Sequence, residues 1–434
     1  MGDTIRLGDL CSVITKGTTP NAKMGGFSEH GVNYIKSESL NYDGHIDQSK
    51  FVFVTEEINA KLKRSQLKSK DVLLSIAGAN LGKCGLVTED MLPANTNQAV
   101  AIIRVNSSKA SPEFVHYFLR NPRMVLANLA GVAQSAQPNL NLGDISNFKL
   151  PALPLPEQRA IAAVLSALDD KIELNRRMNA TLERQARALF ADWFVHFGPT
   201  RAKAAGHPPY LPPETWSLFP DRLDDKGVPE GWEESEIGKE AKVVGGSTPS
   251  TKEPRFWGGG IHWTTPKDLS ALKSPVLFET NRTITKAGLE KISSGLLPAG
   301  TVLLSSRAPI GYVAIAAIPV AVNQGYIALR CEGRLSNVYV WLWLHENMEA
   351  IKGNANGSTF QEISKKNFRP LPVIVPSENV MNAFNEMVMP LYERIEKNEL
   401  ESRTLAKTRD LLLPRLMSGE VRVREAEGIV EGVV

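Results

Sequence analysis

The side chains able to break bonds are few and scattered. Seven histidines (His30, His45, His116, His196, His207, His262 and His345) include no pair four residues apart, and the cysteines Cys11, Cys84 and Cys331 lie far from one another. Neither set has the spacing of a zinc site or a disulfide framework. No phosphate loop, dinucleotide-binding glycine motif, H-E-x-x-H, G-x-S-x-G or C-x-x-C is present. Asn121-Pro122 resembles a fragment of an amino-methyltransferase motif, but its neighbours do not continue one and it reads as a helix end. What does recur is hydrogen-bonding and cationic groups in matching loops. These are the amide pairs Asn97-Gln98 and Asn323-Gln324, Lys16 and Lys252, Lys36 and Lys267, and Lys83 and Arg307. Such groups hold a partner rather than transform one.

Those loops belong to an internal repeat with a period of roughly half the chain. Gly17-Thr18-Thr19-Pro20 returns as Gly246-Ser247-Thr248-Pro249, and Phe27, Gly31, Tyr34 and Leu40 return as Phe256, Gly260, Trp263 and Leu269. Val72-Leu73-Leu74-Ser75 returns as Val302-Leu303-Leu304-Ser305, Leu81-Gly82 as Ile310-Gly311, Arg104 as Arg330, and Phe114-Val115 as Tyr339-Val340. Asp144-Ile145-Ser146, Phe148 and Pro156 correspond to Glu362-Ile363-Ser364, Phe368 and Pro376.

Each repeat has a globular part and a helical part. The globular parts carry short apolar runs punctuated by Gly and Pro (Val32–Ile35, Val72–Ile76, Ala99–Ile103), which predicts strands. Ser111-Pro112-Glu113 predicts a helix start, with Ser111 the cap. The pattern is α+β, without regular strand–helix–strand alternation. The helical parts predict helices over 157–194 and 378–416, the second capped by Ser377 and meeting Pro414 near its end. Steps of four and three place Ile161, Leu165, Leu168, Ile172, Asn175, Asn179, Leu182, Ala186, Leu189 and Trp193 on one seam. The second seam is Phe384, Val388, Leu391, Ile395, Asn398, Ser402, Leu405, Arg409, Leu412 and Leu416. Helices of roughly 57 Å with one apolar stripe need a partner, most simply each other. Asn175 and Asn398, at mid-seam, are expected to fix register, their side chains meeting near a pseudo-two-fold axis; the alternative has both facing solvent on a loosely packed stripe.

The expected divisions are 1–152 and 232–375 (globular), 153–197 and 376–420 (helical), a Pro-rich linker over 198–231, and a tail over 421–434. With 434 residues, a net charge of +3 and 42% hydrophobic residues, the balance is that of ordinary globular domains, and any positive surface must be local. The cysteines are expected to be small buried thiols. Met1-Gly2-Asp3-Thr4 lacks a secretory pattern, and the longest apolar run, Gly311 to Val322, is too short to span a bilayer. The expectation is a soluble cytoplasmic protein without membrane contact.

Three stretches carry a resemblance: Leu153-Pro154-Leu155-Pro156-Glu157-Gln158-Arg159-Ala160-Ile161-Ala162, the run Leu168 to Asn179, and Leu189-Phe190-Ala191-Asp192-Trp193-Phe194. With Gly227-Val228-Pro229-Glu230-Gly231-Trp232 at the start of the second globular part, the chain resembles the specificity (S) subunits of type I restriction–modification systems. The likeness covers nearly the whole chain; at the second junction, Val375-Pro376-Ser377-Glu378-Asn379 lacks the Pro-Glu-Gln form. The resemblance implies an α+β fold of two globular target-recognition domains joined by two long antiparallel coiled-coil helices. It implies that each domain reads half of a bipartite, asymmetric site in double-stranded DNA, and that the chain is non-catalytic and serves phage defence. The helices would set the spacing and dock two methyltransferase (M) subunits, with two restriction (R) subunits in the full complex. No cofactor is implied for this chain; S-adenosylmethionine belongs to the M subunits, ATP and Mg to the R subunits. A helix of roughly 57 Å spans about one and a half DNA turns, which suits half-sites about a turn apart.

On that reading the repeated loop residues Lys16, Lys36, Lys83, Asn97, Gln98, Lys252, Lys267, Arg307, Asn323 and Gln324 are the candidate DNA contacts, amides for base edges and cations for phosphates; the alternative is that the amides satisfy backbone groups in a turn and the lysines form a solvated face. The two halves should read different sequences, so the non-repeated polar stretches add Gln134, Ser135, Gln137 and Asn139, and Ser358, Thr359 and Gln361. Two other readings stand beside this one: a coiled-coil scaffold whose globular ends bind proteins, and a nuclease, which would need a carboxylate cluster.

Overall fold

A computed structural model describes residues 3–20, 25–121, 139–357 and 361–433. The chain divides into two compact units: residues 1–172 with 403–434, and residues 173–402. Each contains one globular domain and portions of both long helices.

In the first unit, Cys11–Lys16, Val100–Val105, Val72–Ser75 and Cys84–Leu86 form an antiparallel four-stranded sheet in that spatial order. Val52–Val54, Val32–Ile35 and Ala94–Thr96 form a three-stranded sheet, its last pair parallel. Thr4–Arg6 pairs with Lys149–Pro151, bringing the start and end of the domain together. Val72, Leu73, Leu74 and Ser75 are all buried, as an unbroken apolar run on a central strand requires. The helix Pro112–Arg120, capped by the Ser111 hydroxyl accepting from Phe114 N and ended by Asn121, covers the sheet. Its Phe114 and Phe118 join Ile161, Leu165, Leu168, Leu405, Leu412 and Leu416 in one core.

The second unit repeats the plan. Lys242–Val244, Tyr326–Arg330, Val302–Ser305, Val313–Ala316 and Val276–Leu277 form a five-stranded sheet. Arg282–Ile284, Trp257–Thr264 and Ala321–Val322 form the three-stranded one, and Glu233–Glu236 pairs with Pro372–Val375. The helix Asn337–Glu346 packs Tyr339 against Phe190, Phe194 and Phe384.

The long helices are Leu155–Phe190, followed by a π-helical turn over Ala191–Val195, and Glu378–Ser418. The second runs continuously through Pro390 as well as Pro414; buried Phe384, Val388 and Ile395 hold the turns around Pro390. Ser377 Oγ accepts from Val380 N at 3.5 Å. Every residue of the two expected seams is buried or half-buried. The helices run antiparallel where they pair. In the first unit Asp169 meets Arg409; in the second, Asn175 meets Asn398 and Ser402, and Asn179 meets Asn398.

Three expectations need correction. The 198–231 segment is not a plain linker: it contains helices Gly198–Ala204 and Pro213–Trp216, and Phe219 and Val228 enter the second unit's core beside Trp193 and Trp232. Proline content forbids long regular elements without forbidding burial. The tail forms a helix, Val423–Glu431, with Ala426 fully buried in the first unit's core. Of the three cysteines only Cys84 is buried; Cys11 and Cys331 are half-buried, because they sit beside strand ends rather than under the sheet.

Candidate nucleic-acid interface

Each domain gathers its repeated loops at one end of its main sheet through backbone hydrogen bonds that the repeat preserves. In the first unit Gly17 N donates to Val100 O at 3.1 Å and Thr18 N to Thr96 O at 3.0 Å. A Cβ on Gly17 would collide with the carbonyl oxygens of Thr96 and Asn97, so only glycine lets the two turns touch. In the second unit Ser247 N donates to Val322 O at 3.2 Å, and a Cβ on Gly246 would strike that same carbonyl. One aromatic donor fixes each turn: Tyr34 OH donates to Thr18 O at 2.8 Å, and Trp263 Nε1 to Ser247 O at 3.2 Å.

The hairpin loop between the two matched strands joins the cluster in the same way twice. Ile76 N donates to Ala99 O and Ser306 N to Gly325 O; Leu140 N donates to Ile76 O and Ile363 N to Ser306 O. Four segments of each domain therefore converge: the Gly-(Thr/Ser)-Thr-Pro turn, the hairpin loop, the Asn-Gln turn, and the strand-like stretch at 139–140 or 361–363.

The side chains on these frames differ. In the first unit Lys36 Nζ lies 5.5 Å from the centre of the Phe27 ring, and Phe27 stacks edge-on against Tyr34. Asn80 bridges the loops, donating to Ser37 Oγ at 3.4 Å and accepting from Lys83 Nζ at 2.8 Å, while Lys83 also sits over the Tyr42 ring. Gln98 and Lys16 are exposed; Asn97 is half-buried, with its Oδ1 buried and unpaired. In the second unit Thr248 Oγ1 donates to Gln324 Oε1 at 2.5 Å, and Asn323 Oδ1 accepts from Gly325 N at 2.9 Å. That bond gives Asn323 a turn-holding role, leaving Gln324 the more outward of the pair. Lys267 is exposed on the short helix Pro266–Ser270, next to Gly325 through Pro266. Arg307, on the hairpin loop, reaches Glu362 at 3.6 Å. Lys252 is exposed in the turn whose Ser250 carbonyl accepts from Trp257 Nε1.

Gln134, Ser135, Gln137, Ser358 and Thr359 lie outside the described residues; Asn139 and Gln361, next to them in sequence, are exposed. Repeat matching alone passed over several groups at the same end. Arg64 donates to Thr18 Oγ1 at 3.2 Å, and Tyr42 and Phe27 are exposed aromatics beside cations. Arg282 lies 3.4 Å from the Trp257 ring centre and 5.6 Å from that of Trp263. The Phe27–Phe256 match is a signal for Phe27 alone, since Phe256 is buried; the cations come from segments distant in sequence. A cation over an exposed ring suits both phosphate attraction and base contact. Among the described residues no group of three or more His, Cys, Asp or Glu could hold a metal ion. Nor is any described helix long and apolar enough to cross a membrane.

Comparison with known proteins gives a consistent picture. Residues 3–184 and 229–401 match the family model described as type I restriction modification DNA specificity domain. The chain is 25% identical over 405 residues to the type I restriction enzyme HindI specificity subunit of Haemophilus influenzae, covering 82% of this chain and 88% of that one. It is 35% identical over 194 residues to the MjaIX specificity subunit of Methanocaldococcus jannaschii, 44% and 45% of the two chains. The crystal structure of the type I restriction–modification system S subunit from M. genitalium shares the fold, with a TM-score of 0.56 at 15% identity over 96% of each chain.

Proposed function

Because the chain belongs to the type I restriction–modification DNA specificity family, we propose that it reads a bipartite, asymmetric DNA sequence, each globular domain contacting one half. The observation that carries this reading is the shared loop frame bearing different side chains. The same backbone bonds hold four loops together in both domains, while Lys36, Asn80 and Lys83 in one give way to Lys267, Arg307 and Gln324 in the other. A common frame gives a common docking geometry, and changed side chains give a changed sequence preference.

In this reading the chain has no catalytic centre. The long helices dock two methyltransferase subunits that bring S-adenosylmethionine, and two restriction subunits that use ATP and Mg complete the assembly. The complex works on cytoplasmic double-stranded DNA. Binding of duplex DNA by the chain with its methyltransferase should weaken steeply with salt, as phosphate contacts release counterions. Weak binding indifferent to salt would instead favour a protein-binding scaffold.

A further inference from the structure

Arg104 and Arg330 are repeat equivalents with unlike partners. Each follows the strand residue (Ile103 or Leu329) that pairs with the first residue of the central strand, Val72 or Val302. The residue before that strand is Asp71 in the first domain and Thr301 in the second, closing the same turn: Asp71 N donates to Lys68 O, Thr301 N to Pro298 O. Asp71 takes Arg104 bidentately, Nε at 2.7 Å and Nη2 at 2.6 Å. Thr301 turns its hydroxyl to Pro298 O at 2.7 Å and offers Arg330 no carboxylate. Arg330 Nε is left buried with no hydrogen-bond partner, while its Nη2 pairs with Glu332, itself exposed.

Thr301 and Arg330 line a cavity of about 490 Å³ together with Gly300, Glu332, Ser336 and Asn337. Ser336 and Asn337 open the helix Asn337–Glu346, and their side chains cap its first donors, Asn337 Oδ1 accepting from Val338 N and Ser336 Oγ from Tyr339 N. An unpaired Nε thus belongs to a guanidinium that lines the cavity, and an orphaned donor of a charged group is costly to keep buried.

We propose that this cavity is a carboxylate-binding site, in which the incoming group takes the Nε edge of Arg330 as Asp71 takes that of Arg104, displacing exposed Glu332 from Nη2. The carboxylate can come from a free acid or from an acidic side chain of a partner protein; the chemistry is shared.

The test uses the full chain with ¹⁵N-labelled arginine, the Arg330 Nε–Hε signal being assigned by its loss in Arg330→Gln. Sodium malonate, against sodium chloride at equal ionic strength, should shift that signal and saturate in roughly the millimolar range. Glu332→Gln, which removes the competing carboxylate, should tighten binding at least about threefold. Thr301→Asp installs the first domain's partner: the signal should move without malonate and the response weaken at least about tenfold. An Arg330 signal unmoved by malonate in both the parent chain and Glu332→Gln overturns the proposal, as does an undiminished response in Thr301→Asp. A second arm, resting on the proposed assembly with methyltransferase subunits, separates the sources. Weaker subunit binding by Arg330→Gln and Thr301→Asp assigns the site to a partner side chain; unchanged assembly with malonate binding intact assigns it to a free acid.

Discussion

Arg409 of the second long helix donates from Nη1 to the Asp169 carboxylate of the first at 2.6 Å. Arg120, on the globular domain's helix, donates to the same carboxylate, and Tyr117 OH does so at 2.7 Å. One acidic side chain therefore ties together three helices of the first unit. The corresponding region of the second unit is aromatic, with Trp341 against Tyr392.

Asp169→Asn should destabilise the chain strongly. Arg120 and Arg409 would lose the carboxylate they share, leaving Arg409 only the exposed Asp410, and breaking a buried pair from one side costs about 3–5 kcal/mol. Burial alone would raise the Asp169 pKa, but the two guanidiniums overcome it and hold the carboxyl below the usual carboxylate range. A depressed pKa stabilises the fold at pH above the unfolded value of about 3.9 and loses that contribution as pH falls through the folded value. The gap between parent and variant in urea melts should be full at neutral pH and close under acid conditions below about pH 4.

Asn398→Ala should cost about 1–3 kcal/mol, because Asn179 Oδ1, which accepts from Asn398 Nδ2 at 2.8 Å, would be left buried and unpaired. Asn175 and Asn398 adjoin as the repeat suggested, but their contact runs from the Asn175 amide to the Asn398 main-chain carbonyl at 3.3 Å. Asn175 also donates to Glu401 at 2.7 Å. Thermal denaturation of the variant checks the loss; an unchanged midpoint would remove the role of this contact in the seam.

Gly17→Ala and Gly246→Ala should each push the Asn-Gln turn away from its neighbour, since the new Cβ meets backbone rather than a yielding side chain. Overpacking of this kind costs about 1–3 kcal/mol. Each variant should lose affinity chiefly through one half of the DNA site, which competition with half-scrambled duplexes can read.

Much of this was legible in the chain itself. The Val-Leu-Leu-Ser repeat marks equivalent central strands, and the four–three spacing marks seams that are buried or half-buried along their whole length. The paired glycines were visible as repeats, although their reason, contact between backbones, needed three dimensions. The ion cluster at Asp169 joins residues 240 positions apart, and the Arg282–Trp257 stack forms across a sheet; neither leaves a local pattern. The burial of Phe219 and Val228 depends on the aromatic core around Trp193, so a proline-rich composition concealed it.

Lys36→Ala and Lys83→Ala should weaken DNA binding about equally on all sequences. Each should also reduce the slope of log affinity against log salt by about 0.9 per phosphate that is no longer neutralised. Salt titrations by fluorescence anisotropy would check this; a slope unchanged in both variants would take these lysines out of the interface.

The central claim, one half-site per domain, is tested most directly by methylation profiling of the chain with its methyltransferase, comparing Gln98→Ala with Gln324→Ala. Removing a base-reading amide should relax discrimination by about 1–3 kcal/mol at the base concerned. If each domain reads its own half, degeneracy will be confined to one half of the motif for Gln98→Ala and to the other half for Gln324→Ala. Degeneracy of both variants in the same half, or across both halves with either, would contradict that division.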